Sequence, residues 1–250
     1  MLRRPVMLVC VASLVGSACA AQAVNERVAS QPQPRTGGVP DTPSEGPDQA
    51  MEVTPRFEGG VFAIGPGLRE RLTGRNWRPG CPVPLEDLRL VRVSYWNFDG
   101  DVRTGPLVLN ERVASDVLWV FRRLFRTRFP IEEIKLAAKD RPITPEDYWD
   151  RSRRSVTASF NCRPATGSTT LSQHSYGWAI DINPLQNPYV RNDGSVLRFI
   201  AKPFRNRSLD VKGMIHDGDI VVRSFAAIGW EWGGHWHTLK VYMHFSLTGR

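Results

Sequence analysis

Leu88-Arg89-Leu90-Val91-Arg92-Val93-Ser94-Tyr95-Trp96 alternates apolar and polar residues well enough to predict a strand. Asp99-Gly100 then marks a turn, and Gly105-Pro106-Leu107-Val108-Leu109 reads as a second strand. From Asn110 to Phe129, the apolar residues Val113, Val117, Val120, Phe121, Leu124 and Phe125 recur at helical spacing, and Pro130 ends the pattern. Further along the chain, Pro130-Ile131 opens another short strand through Leu136. Ser168 to His174 is a polar loop, Gly177 to Ile182 a buried strand, and Ser224 to Ile228 the end of a helix stopped by Gly229. Helices and strands mix without a regular βαβ rhythm and without internal repeats. The predicted class is therefore α+β, a small antiparallel sheet flanked by helices.

The chain has 250 residues, and its first aromatic residue is Phe57. The segment before it has little with which to build a core. Arg3 and Arg4 precede an apolar run from Val6 to Val15 and the small residues Gly16-Ser17-Ala18-Cys19-Ala20-Ala21, the plan of an export signal over residues 1–23. The run is too short for a spanning helix, which needs about 20 apolar residues. Cys19 after Gly-Ser-Ala resembles a lipid-attachment box, whereas cleavage after Ala20 or Ala23 would release the chain. Residues 24–52 hold Pro32, Pro34, Pro40, Pro43 and Pro47 with Gly37, Gly38 and Gly46, a disordered linker by composition. Residues 53–250 form the single expected domain.

Export agrees with the remaining cysteines. Outside the signal only Cys81 and Cys162 are left, an even pair with no CxxC spacing, so a disulfide is expected. The net charge is +8, and +6 once Arg3 and Arg4 leave, since 31 basic residues then face 25 acidic ones. Much of the excess sits in Arg122, Arg123, Arg126 and Arg128, and in Arg151, Arg153 and Arg154. These read either as a solvated helix face or as a surface for anionic wall polymers or lipid headgroups. Export disfavours a nucleic-acid partner, which steep salt dependence of DNA binding would reveal.

The chemistry concentrates in Ser172-Gln173-His174-Ser175-Tyr176-Gly177-Trp178-Ala179-Ile180-Asp181-Ile182-Asn183-Pro184 and in Met243-His244-Phe245. Two histidines and a carboxylate suit one zinc ion with an open coordination position. Asp181 lies in an apolar run, where an unpaired carboxylate would cost several kcal/mol, so something positive must face it. A metal shared with His174 meets that need. A backbone amide or an arginine such as Arg163 is the alternative.

Ser-x-His-x-x-Gly-x-Ala-x-Asp-Ile with its following Asn-Pro, the Trp-x-Trp-Gly-Gly-x-Trp run from Trp230 to Trp236, and the terminal Met-His-Phe together resemble the zinc peptidases of the D-alanyl-D-alanine carboxypeptidase family. The resemblance spans roughly Phe57 to Leu247. It implies a zinc peptidase domain in which His174, Asp181 and His244 are the metal ligands and a water in the fourth position is the nucleophile. It also implies that Arg163 faces the substrate carbonyl or carboxylate, its planar fork suiting either. The implied substrate is a peptidoglycan stem peptide, with cleavage at a chain end or within a crosslink equally open. The expected protein is a monomer in the cell envelope, secreted or anchored through Cys19.

One position departs from the family pattern. An acid is expected three residues before the last histidine ligand, and Val241 stands there. Valine cannot move a proton, and loss of a general base typically costs about 10²- to 10⁴-fold in rate. Glu231, His235 and His237 are the nearby groups that could take over, which makes Glu231 a catalytic candidate beside Arg163. The competing reading is a wall-binding lipoprotein that keeps the zinc site with little hydrolysis. His216, His235 and His237 otherwise read as surface histidines. Trp230, Trp232 and Trp236 read either as core or as a substrate platform.

Overall fold

The structure, a computed structural model, describes residues 54–137 and 154–249. The expected export signal and linker, together with Arg151 and Arg153, lie outside the described residues. Among the described residues, no helix is long and apolar enough to cross a membrane.

The predicted hairpin forms. Strand β2 (Leu88–Trp96) pairs antiparallel with β3 (Val102–Asn110), and β1 (Gly59–Ala63) adds to the free edge of β2. Alternation sorts the side chains of β3: Leu107 and Leu109 face one core, Val108 another. Asn110 ends the strand and caps the next helix, its side chain accepting from the Arg112 backbone N–H at 3.1 Å. That helix, α2 (Glu111–Arg126), buries Val113, Ala114, Val117, Val120, Phe121, Leu124 and Phe125 on one stripe. Each large apolar side chain so placed stabilises the fold by about 1.5–3 kcal/mol relative to exposure. The helix stops three residues short of the predicted Phe129, because Arg128 adopts a left-handed φ of 53° ahead of Pro130.

Helix α2 packs against β1 and β2 and also against α3 (Ile220–Ala226), which ends two residues before the predicted Ile228. The same core takes in a second three-stranded antiparallel sheet, where β10 (His244–Ser246) lies between β6 (Ala179–Asp181) and β8 (Glu231–Trp232). The fold is thus α+β as expected, with two three-stranded and two two-stranded sheets among the described residues where one sheet was predicted. Two strands are much shorter than their sequence suggests. The segment after Pro130 yields only β4 (Glu133–Ile134), because its parallel partner β5 (Val156–Thr157) offers two residues. The buried strand begins at Ala179 because Gly177 is left-handed. A last pair joins β7 (Tyr189–Val190) to β9 (Lys240–Val241).

On the far side of β3 a smaller core gathers Leu72 at the end of α1 (Pro66–Leu72) with Val83, Leu85, Leu88, Val108, Phe160 and Cys162. Here the expected disulfide joins Cys81 to Cys162 across 81 residues. The basic residues of α2 and of the turn after it are partly engaged with rings: Arg123 lies 4.8 Å from the centre of Trp119, Arg128 4.5 Å from Trp96 and Arg122 5.3 Å from Phe57.

Two ties fix the second sheet's surroundings to β3. Ser159 Oγ accepts from the Val108 N–H at 2.9 Å and donates to the Val108 carbonyl at 2.8 Å. The Asn110 N–H donates to the Gly177 carbonyl at 3.1 Å. Gly177 is required twice over: its φ is 70°, and a Cβ there would lie 2.5 Å from the Asn110 nitrogen.

Candidate metal centre

Register brings the C-terminal histidine to the acid. In the β6–β10 pair His244 stands directly opposite Asp181, so one antiparallel pairing closes a sequence gap of 63 residues. Alternation does the rest. Ile180, Ile182 and Phe245 point into the core while Asp181 and His244 share the other face.

His174 comes from the 3-10 turn Gln173–Tyr176 that leads into β6. The repeated serines of its motif have separate tasks. Ser172 Oγ accepts from the His174 backbone N–H at 3.3 Å, capping the turn. Ser175 Oγ donates to the Arg163 carbonyl at 2.8 Å and accepts from the Arg163 N–H at 2.9 Å, latching the preceding segment alongside. That segment is also fixed by the disulfide, one residue before Arg163.

The three side chains converge. His174 Nε2 lies 3.3 Å from Asp181 Oδ2, and His244 Nδ1 lies 3.0 Å from Asp181 Oδ1. One donor atom from each residue falls within 4.8 Å of the others, and both histidines are buried. His174 Nδ1 sits 2.7 Å from the Ser159 carbonyl. A carbonyl only accepts, so Nδ1 carries a proton and Nε2 is the nitrogen left to serve a metal. Nε2 faces a carboxylate oxygen, an arrangement that a cation between them would satisfy. An outer carbonyl fixing the tautomer of a ligating histidine is the usual support of such sites.

The electrostatics agree. Burial raises the pKa of the Asp181 carboxyl, but attraction and hydrogen bonding from His174 and His244 outweigh it and hold the group well below the usual carboxylate range. Burial lowers the His244 pKa; Asp181 opposes this, while the positive charges of His174 and Arg163 lower it further. An ionised acid and a neutral imidazole are the forms that bind metal.

Orphan polar atoms mark the same place. Among the described residues, seven side-chain polar atoms are buried without a protein hydrogen-bond partner, Gln186 Oε1 and Arg207 Nε among them. The other five, Gln173 Oε1, Trp178 Nε1, Trp236 Nε1, His244 Nε2 and Ser246 Oγ, belong to residues in or against the elements that hold the triad, and clustered unsatisfied groups call for an explanation. A ligand-binding site supplies one.

The other candidates divide. Arg163 lies near enough for its charge to be felt at His244, and its guanidinium donates to the Pro164 carbonyl at 3.0 Å. Glu231 stands opposite Ser246 in β8, on the sheet face that also bears His244. Its exposed carboxylate turns toward the chain end: a Cβ on Gly249 would lie 2.1 Å from it. It is not among the residues whose donor atoms meet. His235 Nε2 contacts Asp217 at 2.7 Å on the surface, and His237 is exposed. Val241 is buried in β9, opposite Tyr189.

The tryptophans also split. Trp230 and Trp232 belong to the core, whereas the ring of Trp236 lies 5.5 Å from that of His244 and walls the site. Composition does not separate the three. Sequence reasoning also missed Ser159, whose contribution is a backbone carbonyl that no side-chain pattern signals.

Two buried histidines and a half-buried aspartate whose donor atoms lie within 4.8 Å of one another could hold one metal ion, as such sets do in hydrolases. Residues 166–247 match the family model described as D-alanyl-D-alanine carboxypeptidase, a family of zinc peptidases. The matched segment contains all three converging residues and begins three residues after Arg163. No curated protein and no solved structure matched the chain.

Proposed function

We propose that the protein is a zinc-dependent peptidase of bacterial peptidoglycan stem peptides, similar in action to the D-alanyl-D-alanine carboxypeptidases. The observation that supports this most is the convergence of His174 and His244 on Asp181 inside the segment that matches the family. These three side chains would hold the metal. Zinc there would supply Lewis acidity, polarising a carbonyl and lowering the pKa of bound water to about 7.

The chain's own groups have distinct parts. Ser159 keeps the His174 proton on Nδ1 and so keeps Nε2 free to ligate. Arg163, latched by Ser175, offers a planar cation to an oxyanion or a terminal carboxylate. Trp236 closes one wall and presents an unpartnered N–H. Proton transfer is the missing part, since Val241 has no group that can accept one. Glu231 is the candidate on the same sheet face, and it reaches the site only if its carboxylate swings away from Gly249. The export signal and Cys19 would place the activity in the cell envelope.

A second reading rests on that same valine. Among the described residues, no further acidic group joins the triad, which favours a wall-binding lipoprotein that holds zinc and turns over little. Digestion of purified muropeptides by the parent protein, Val241→Asp and His244→Ala separates the two. Release of D-alanine or of split crosslinks by the parent, abolished in His244→Ala, supports the peptidase. An inert parent with gain of release in Val241→Asp sinks the peptidase reading and leaves the metal site standing.

A further inference from the structure

Among the described residues, the exposed large apolar side chains are scattered along the chain except at one place. Leu197, Phe199 and Ile200 fall within four residues, and Phe199 is 84% exposed, against 49% for Phe62, the next in order. We propose that this segment is a docking surface for an anionic lipid bilayer, an inference that stands apart from what the triad cleaves.

The backbone turns these side chains outward. Phe199–Arg205 is a 3-10 helix in which Ala201 is the buried residue. At its entry the Leu197 N–H donates to the Tyr189 carbonyl at 3.0 Å, and the Ala201 N–H donates to the Arg198 carbonyl at 2.9 Å. At its exit Arg207 Nη1 donates to the Phe204 carbonyl at 3.0 Å. With both ends tied and Ala201 turned into the fold, Phe199 and Ile200 are left facing water. A contiguous apolar surface of this kind marks an interaction site, whereas single exposed apolar residues do not.

Charge selects the occupant. From Gly194 to Leu209 the chain carries Arg198, Lys202, Arg205 and Arg207 and no acid. Lys202 and Arg205 are exposed, and Lys202 Nζ lies 5.9 Å from the centre of the Phe199 ring, so ring and cation are presented together. Arg205 Nη1 donates to the Gly194 carbonyl at 2.8 Å, which holds its stem against the segment. An apolar tip collared by cations matches a surface that is anionic outside and hydrocarbon within. A dissolved polyanion would meet the cations but offer Phe199 no apolar phase. A second copy seated on the same face across a twofold axis would set Lys202 and Arg205 against their own counterparts. The expected lipid on Cys19 would bring the domain near such a bilayer, and a single lipid chain binds weakly enough that a second contact matters.

The test reads the segment itself. Amide exchange over Leu197 to Lys202 is followed in the full-length protein alone, with phosphatidylcholine vesicles, and with vesicles of phosphatidylglycerol and phosphatidylcholine. The apolar run from Val6 to Val15 is present in every variant and contributes nothing to exchange at these positions. Slowed exchange with the anionic vesicles and none with the neutral ones is expected, and salt should weaken it. The slowing should fall about tenfold in Phe199→Ser. It should fall about fivefold in Lys202→Gln and be kept in Lys202→Arg. Phe62→Ser, which removes an exposed ring elsewhere, should leave it unchanged. No slowing, equal slowing with neutral vesicles, or equal slowing in Phe199→Ser overturns the proposal. Slowing that needs no vesicles and grows with protein concentration also overturns it, because a second copy then covers the segment. Vesicle-dependent slowing in a protein that leaves muropeptides uncut sinks the peptidase reading and leaves the docking surface standing.

Discussion

The β1–β2–β3 sheet with α2 and the β6–β10–β8 sheet with its loops share one hydrophobic core, yet they are held together by different means. The first consists of two nine-residue strands, a five-residue edge strand and a 16-residue helix, ordered by backbone ladders and a broad apolar stripe. The second has no strand longer than three residues. Its loops are fastened by side chains that bond to backbone. Asn187 donates from Nδ2 to the carbonyls of Ile182, Asn183 and Gly213, and its Oδ1 accepts from the Ile215 N–H and from Arg207. Asn183 accepts from the Glu132 N–H and donates to Pro130 and Gly213. Arg207 bonds the carbonyls of Gln186, Phe204 and Ile215, and lies 4.4 Å from the centre of the Tyr242 ring. The difference shows how a site is placed: a long-element scaffold gives stability, and a polar lattice fixes ligand positions that regular elements of this length could not.

The largest expected effect is on the scaffold. Phe121→Ala removes a fully buried ring and should cost about 3–5 kcal/mol in chemical denaturation. If both halves unfold in one transition, the shared core unites them; two transitions would break that picture. Loss of the disulfide in Cys81→Ser/Cys162→Ser should cost about 2–4 kcal/mol. It should also free the segment bearing Arg163, seen as raised amide exchange at Asn161 to Pro164's neighbours with little change in α2. Asn187→Asp keeps the shape but removes the donors, and should cost about 1–3 kcal/mol. Here amide exchange should rise at Ile215 and along β6 before it rises in β2 or β3. Uniform acceleration would show that the lattice is not a separate unit.

The smallest effect is in pH. In metal-free protein, the lowered pKa of His244 gives a stability contribution that is fully present above the ordinary value of 6.5 and lost as pH falls below it. The depressed Asp181 contributes stability present above 3.8 and lost as pH falls through its folded value. Thermal midpoints in chelator should therefore decline on acidification from pH 6.5. The decline should be weaker in His244→Ala, which lacks one of the groups and the attraction that depresses the other. Equal declines in both proteins would remove the triad as the cause.

Much of the scaffold was legible from sequence because its signals are local. The alternation in Leu88–Trp96 and the helical spacing from Val113 to Phe125 lie within single elements, and the strand bounds of β2 agree residue for residue. The second sheet was legible only in part. The three-residue strands are too short to show a period, and among the described residues the predicted single sheet is divided into four. The metal ligands stood out as residue types, and the expected disulfide formed, whereas Ser159, which contributes a main-chain carbonyl, and Trp236, one tryptophan among eight, did not.

The amino-acid order by itself determined the long hairpin and the helix that follows it, which residue types could bind a metal, and that an aliphatic side chain occupies position 241. Tertiary structure decided the register that sets His244 opposite Asp181, the carbonyl that fixes the His174 proton, and the turn of Glu231 toward the chain end. It also decided that Leu197, Phe199 and Ile200 stay exposed. Periodicity is encoded over a few neighbouring residues, but pairing across tens of residues is set by the burial and hydrogen bonding of the whole core.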